Sequence, residues 1–332
     1  MGVYHFMGLG RSPGAVSAAI SYLADRYERD DISDKQFFSG SGEAAQTAKR
    51  GDIQGLVLFT THEVKEGERH GLALDYLENP PKKIRQRHVA GERMSQVLNR
   101  VLPPLLRRLD GGRGKVELYW CEIDLAHPYL TFERAARALH AAKPPGEVGK
   151  EVWINLTGGG NVINLALQLA AGLLGHPARV YYTYMPSEDI SCLYHTTPQA
   201  NLGTERDRFW VEIPLIYLGL DAAALAVLQT LETLDQPVRD QDLLSILKSD
   251  PAHGPDFQSL SLQDFQRKYL LPMRGNQIVL TGRNMVAIGQ GWSILKRYYE
   301  IVAALQRPGG GAETSLGALA GNNPSWCRQE TI

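Results

Sequence analysis

The sequence has little cysteine: three in 332 residues, Cys121, Cys192 and Cys327. No two stand at metal-ligand spacing, and the first two lie in apolar, strand-like runs. That argues against a zinc module or a disulfide scaffold and for buried thiols in a reducing compartment. Apolar runs of about 18 residues are missing, so no membrane-spanning helix is expected. The opening MGVYHFMGLG has neither a basic stretch nor a long apolar stretch, so it does not read as a signal peptide. The expected location is the cytoplasm. Net charge is only -1, which provides no global field toward nucleic acid or a membrane. No GK[ST] follows a glycine loop, which excludes a Walker A site. Gly8-x-Gly10 runs into Pro13, which excludes the dinucleotide fingerprint. No zinc set and no nuclease-type cluster of Asp, Glu and Lys is found, so no metal and no cofactor is expected. The nine histidines are scattered.

What is present is an ordinary globular composition, 43% hydrophobic and 21% charged, in a chain of two-domain length. Val3–Met7 is a short apolar strand that ends in GLGRSPG at 8–14. A helical pattern follows from Ala15 to Tyr27, with Ser12 as its cap and Pro13 at its first position. Leu56–Thr61, Val116–Ile123 and Val152–Leu156 read as buried strands, and Phe132–Ala142 and Val162–Leu174 as helices. Glu92–Leu109 is amphipathic, and Pro103-Pro104 should kink or split it. Residues 62–90 read as a polar loop whose basic run, Lys82 to His88, is either solvated or a lid over a polyanion. Val180–Met185 and Ile190–Tyr194 read as a hairpin, and Phe209–Ile213 as a last strand. In VYYTYM the tyrosines Tyr181, Tyr182 and Tyr184 read mostly as core, with one free to stack on a base. Trp120 and Trp153 should be buried. His195 ends a strand and could touch a ligand.

Strands alternating with helices argue for an α/β domain over 1–215 with a Rossmann-like, mostly parallel sheet. Residues 216–306 change character. Helices at Asp221–Leu234, Arg239–Leu247 and Ser261–Leu270, a short strand at Gln277–Thr281, a turn at Gly282-Arg283-Asn284 and a last helix have the order of a small winged helix-turn-helix domain. Residues 307–332, rich in Gly, Ser and Asn, read as a disordered tail.

Two strand-to-helix turns carry the chemistry, GLGRSPG at 8–14 and TGGGN at 157–161. Glycine permits positive φ and close backbone approach, and a helix N-terminus offers free amides to an anion. A glycine turn on its own is as readily a tight connection; a pair in one domain points to a phosphate or nucleotide site where strand order reverses.

GLGRSPGAV and INLTGGGNVINLAL resemble the two ligand motifs of CARF domains, the CRISPR-associated Rossmann-fold sensors of type III CRISPR systems. The resemblance covers about residues 1–215, and several such proteins carry a winged helix next. It implies a homodimer that binds a cyclic oligoadenylate, such as cyclic tetra-adenylate, across its two-fold axis. Carried over, the ligand residues are Gly8, Gly10, Arg11 and Ser12 from the first turn. From the second they are Thr157, Gly158, Gly159, Gly160 and Asn161. The family often carries an effector. The HEPN ribonuclease pattern has a formal match in Arg134 to His140, which reads instead as the solvated face of a covering helix.

Three readings stay open. One is a ring nuclease that degrades the messenger of antiviral defence without metal, with Ser12, Arg11 and Asn161 as catalytic residues. Relatives that cleave often have Lys or Arg shortly after the TGG motif, where this chain has Asn161. The second is a ligand-controlled transcription regulator that binds DNA through Arg267, Lys268 and Arg283, with Arg274 flanking the wing. Acids there balance bases, a poor footprint for DNA. The third is a pure sensor.

Overall fold

The computed structural model describes residues 2–10, 13–28, 53–66, 74–76, 87–89, 93–109, 116–143, 150–175, 177–183, 210–214, 221–275, 277–306 and 313–331. The chain divides into two compact units: Met1–Tyr217 with Ala304–Ile332, and Leu218–Ala303.

The first unit is built on a seven-stranded sheet. In chain order its elements begin β1 (Gly2–Gly8), α1 (Gly14–Glu28), β2 (Ile53–Thr60), α2 (His62–Glu66), β3 (Leu74–Tyr76), β4 (Arg87–Val89) and α3 (Met94–Leu106). They continue through β5 (Glu117–Glu122), α4 (Pro128–Ala142), β6 (Lys150–Asn155), α5 (Asn161–Leu174), β7 (Arg179–Thr183) and β8 (Trp210–Glu212). The sheet order is β12-β5-β2-β1-β6-β7-β8, where β12 is Cys327–Thr331 near the C-terminus. The five inner strands pair in parallel, and β8 and β12 close the two edges antiparallel. The α/β, mostly parallel architecture expected from the sequence is therefore present.

Side-chain alternation explains why the inner strands read as continuous apolar runs. Val3, Met7, Leu56, Leu58, Leu118 and Trp120 form one cluster with α1 and α3. Their neighbours Phe6, Val57, Phe59, Tyr119 and Ile154 are equally buried but lie outside that cluster. Both faces of the sheet are thus covered, as parallel strands require.

Several expectations need correction. Pro103 and Pro104 do not break their helix; α3 runs through them. Leu102, Leu105, Leu106 and Leu109 are buried, so packing outweighs the lost backbone bonds near the helix end. Helix α4 starts earlier than expected, with Pro128 in its first turn. The stretch 62–90 is not all loop: α2 follows β2 directly, and β3 and β4 pair antiparallel. Lys82 to Gln86 of the basic run, the second strand of the expected hairpin, Tyr184, Cys192 and His195 lie outside the described residues.

The C-terminal stretch is not a disordered tail. Residues 313–331 form α12 (Leu316–Asn322) and β12, whose Cys327 is the register partner of Cys121. Trp326 is buried beneath the guanidinium groups of Arg134 and Arg137, 5.4 and 5.7 Å from its ring. A polar edge strand, CRQET, has almost no hydrophobic alternation, so composition hid it. The Sγ atoms of Cys121 and Cys327 lie 3.7 Å apart as free, buried thiols.

The second unit contains α6 (Ala222–Leu234), β9 (Val238–Arg239), α7 (Asp240–Ser249) and α8 (Gly254–Phe257). A continuous helix follows: α9 (Leu262–Phe265), a π turn (Gln266–Leu270) and α10 (Leu271–Gly275). The hairpin β10 (Val279–Gly282) and β11 (Met285–Ile288) pairs onward with β9, and α11 (Gln290–Gln306) comes last. Asp221 and Ser261 cap their helices, accepting from the amides of Ala224 and Asp264. Arg283 and Asn284 turn the hairpin with φ of 50° and 62°, the two positive values of a type I′ turn. Phe257, Phe265 and Tyr269 form an aromatic cluster in its core.

Candidate functional site

Strand order fixes where a ligand would bind. From β1 the chain moves outward to β2 and β5, then returns to β6 on the other side of β1. The order reverses between β1 and β6, and both glycine turns leave the carboxyl ends of those two strands. That is the crevice position at which open α/β sheets hold ligands.

The glycines do two different jobs there. A Cβ on Gly8 would stand 2.5 Å from the Gly158 carbonyl oxygen. One on Gly158 would stand 2.3 Å from the Ala15 Cβ and 2.5 Å from the Gly8 oxygen. Gly159 has φ of 78°, and its Cβ would come within 2.8 Å of the Gly8 Cα. These three glycines let the two turns pack backbone on backbone. Gly10 and Gly160 differ. Gly10 has only the Gly159 backbone near it, at 3.9 Å, and Gly160 has nothing within 4 Å.

Polar side chains hold this geometry. The buried Asn155 donates to the Ala15 carbonyl (3.2 Å) and accepts from the Thr157 amide (2.8 Å). Asn164 donates to the Leu156 carbonyl at 3.0 Å. The Thr157 hydroxyl oxygen accepts from the Thr183 amide at 2.8 Å, tying the turn to β7. Thr157 is therefore a brace, with its hydroxyl proton and one lone pair left over. Neither asparagine stood out in the sequence; each is a polar residue in an apolar strand or helix, and that was the available signal.

The start of α5 is open. Its cap is Gly160, no side chain caps it, and its first turn carries no acid. The first amides of a helix have no intrahelical partner and attract negative charge. Asn161 stands there exposed. The structure thus brings Gly8, Gly10, Thr157, Gly158, Gly159, Gly160 and Asn161 together at one edge, while Arg11 and Ser12 lie outside the described residues.

Next to this neutral half lies a charged one that sequence reading missed. Thr60 of β2 is the register partner of Glu122 of β5. His62 Nδ1 lies 3.3 Å from Glu122 Oε2, and Lys65 Nζ lies 3.9 Å from Glu122 Oε1. Lys65 is buried, 5.6 Å above the Trp120 ring. Arg134 donates to the Glu122 carbonyl. Farther along, His127 and Asp124 pair at 2.7 Å, and this exposed hydrogen bond holds Asp124 below the usual carboxylate range. Arg134 to His140 is consequently not a solvated helix face. Arg134 is half-buried, and His140 is buried with its pKa lowered by desolvation. Among the described residues no three His, Cys, Asp or Glu side chains gather to hold a metal ion. No described helix is long and apolar enough to cross a membrane.

The second unit has a groove of about 300 Å³ between the helix Leu262–Gly275 and its hairpin. Gln266, Leu270 and Arg274 line it from the helix, and Thr281 to Val286 from the hairpin, with Asp240 in its wall. Arg283 sits at the hairpin tip; Arg267 is 81% exposed and 3.7 Å from Asp264; Lys268 lies 4.9 Å above the Tyr269 ring.

No family model matches this chain. A curated protein of Archaeoglobus fulgidus, described only as an uncharacterized protein, is 29% identical over 195 residues, which cover 55% of this chain and 57% of that one. Among solved structures, Enterococcus italicus Csm6 bound to cyclic hexa-2′-fluoro-hexa-dAMP aligns with 82% of this chain and 56% of its own, at 10% identity and a TM-score of 0.39. The chain spans little more than half the length of either protein.

Proposed function

We propose that the sheet unit binds a cyclic oligoadenylate at the β1/β6 edge and opens the ring without a metal ion, ending the signal of a CRISPR-type antiviral response. The observation that carries this reading is the pairing of the two turns at the switch point. Gly8, Gly158 and Gly159 lock them together, leaving Gly10, Gly160, Asn161 and the uncapped start of α5 outward. That is a surface of backbone amides with no acid in the first turn of α5, suited to a ribose-phosphate ring. Its two sequences are also the ones that resemble the CARF ligand motifs. A second copy related by a two-fold axis would offer a cyclic tetra-adenylate the same residues twice. Cleavage would place a ribose 2′-OH in line with the adjacent phosphorus, with Arg11, Ser12 and Asn161 stabilising the developing charge.

The test is incubation with labelled cyclic tetra-adenylate in EDTA, followed by chromatography. Linear di-adenylate ending in a 2′,3′-cyclic phosphate is the expected product, and Ser12→Ala or Arg11→Ala should slow its release. A ring that binds but stays intact would make the protein a sensor; a ring that does not bind would defeat the reading.

A second reading is favoured by the groove between the helix Leu262–Gly275 and its hairpin. The order of elements there is that of a winged helix; Arg274 and Arg283 line the groove, and Arg267 and Lys268 lie on the same helix. In this reading the unit binds DNA under ligand control. Affinity for duplex DNA that falls steeply with salt and changes when the ring is added would support it.

A further inference from the structure

The residues assigned above to ring cleavage share a gap. Arg11, Ser12 and Asn161 can position and donate, but none is a base near neutral pH. The charged half of the same sheet edge has the missing group. We propose that His62, oriented by Glu122, is the general base that removes the ribose 2′-OH proton. This rests on the ring-cleavage reading of the β1/β6 edge.

Place comes first. Gly8 is the register partner of Phe59, and Thr60 is that of Glu122, so β1, β2 and β5 end side by side. Adjacent strands are about 4.8 Å apart. His62 follows β2 by two residues, and so stands at the edge next to the first glycine turn.

Chemistry follows. The 3.3 Å contact engages His62 Nδ1 with the Glu122 carboxylate. A histidine whose Nδ1–H faces a carboxylate has Nε2 free to take a proton. The side chain is 43% exposed, whereas Glu122 is 17% exposed and Lys65 only 3%. Lys65 and Glu122 already balance each other's charge, so the buried pair has no need of a histidine. Its presence on the solvent side of that pair is what a positioned base requires. Glu122 of β5 faces it; the charged groups nearby are Lys65, Glu66 and Glu63 on its own helix, Arg93 at 3.3 Å from Glu66, and Arg134 on the Glu122 carbonyl.

The step balances without a co-reactant. The O2′–P bond forms and the P–O5′ bond breaks. The 2′-OH proton passes to His62 Nε2, O5′ takes a proton from water, and the imidazolium returns its proton to solvent. The product is an isomer of the ring, linear, with a 2′,3′-cyclic phosphate and a 5′-OH.

The experiment measures binding of cyclic tetra-adenylate by anisotropy beside single-turnover cleavage in EDTA, from about pH 5 to pH 9. The proteins are wild type, His62→Gln, His62→Asn and Glu122→Gln, each checked for folding by circular dichroism. His62→Gln and His62→Asn should bind normally, cleave about 100-fold more slowly and lose the fall in rate on the acid side. Glu122→Gln should slow cleavage while ring affinity stays normal, because His62 Nδ1 loses the carboxylate that orients it; a merely structural Glu122 would lower affinity and rate together. Full-rate cleavage with an unchanged pH profile in both His62 variants would overturn the assignment. So would a wild-type protein that binds the ring and leaves it whole, while the binding reading survived. Absence of wild-type binding would defeat the ring reading itself, and the base with it.

Discussion

Two halves of one sheet edge are built from opposite materials. At β1 and β6 the chain uses glycine, amides and short neutral side chains, and the first turn of α5 has no acid. At β2 and β5 it uses paired charges, with Glu122 between His62 and Lys65. At Gly8, Gly158 and Gly159 the neutral half is a close fit of backbone to backbone, which no side chain can enter without displacing something. The charged half takes Lys65 and most of Glu122 out of water, a desolvation that nearby counter-charges must offset. The difference teaches which changes each half tolerates: steric ones break the first, electrostatic ones the second.

The largest expected effect breaks the neutral half. Gly158→Val would drive a Cβ against Ala15 and the Gly8 carbonyl, and should cost at least about 3 kcal/mol, the upper end of ordinary overpacking. Chemical denaturation reads this directly; a variant of wild-type stability would show that the turns do not touch. Close behind is Trp326→Ala, which undermines the charged half from below. The Trp326 carbonyl accepts from the Glu122 amide at 2.7 Å, and its ring is buried under Arg134 and Arg137. A loss of about 3 kcal/mol is expected, with separation of β12 from β5 seen as faster amide exchange in β5.

A third prediction contrasts two histidines. His5 lies inside the sheet with Nδ1 3.0 Å from the Tyr181 hydroxyl, and burial pushes its pKa down to about 3. Below about pH 6.5 the unfolded chain binds a proton that the native His5 does not. Stability is therefore full above that pH and falls on acidification until about pH 3, where the native group titrates. The slope contributed is on the order of 1.4 kcal/mol per pH unit. Urea midpoints should drop with pH in wild type and less steeply in His5→Gln; parallel curves would contradict it.

The smallest effect separates stability from binding. Asn161→Asp adds a negative charge at the open start of α5. It should raise stability by about 0.3–1 kcal/mol through the helix dipole. The same charge should weaken binding of a cyclic oligoadenylate about tenfold or more, a change of roughly 1.4 kcal/mol. A variant stabilised yet unimpaired in binding would move the ligand away from Asn161.

Much of this architecture is legible locally. The strand, glycine turn and helix at 2–28 and at 150–174 announce themselves by apolar runs of the right length around Gly and Pro. Asp221 and Ser261 announce their helices by cap chemistry. The rest depends on partners far apart in sequence. Pro103-Pro104 looks like a break until the buried leucines around it are counted. CRQET looks like tail until Cys327 meets Cys121 across the ladder. His62 and Glu122 each look like an isolated polar residue beside a strand.

By itself, then, the sequence determined the periodicities, the alternation of strand and helix, and the presence of two glycine turns, because those depend on neighbours within a few residues. Only the tertiary structure decided which glycines face each other and which stay open. That depends on β1 and β6 lying side by side although nearly 150 residues separate them. The same crossing brought β5 beside β2, and so gave His62 its carboxylate.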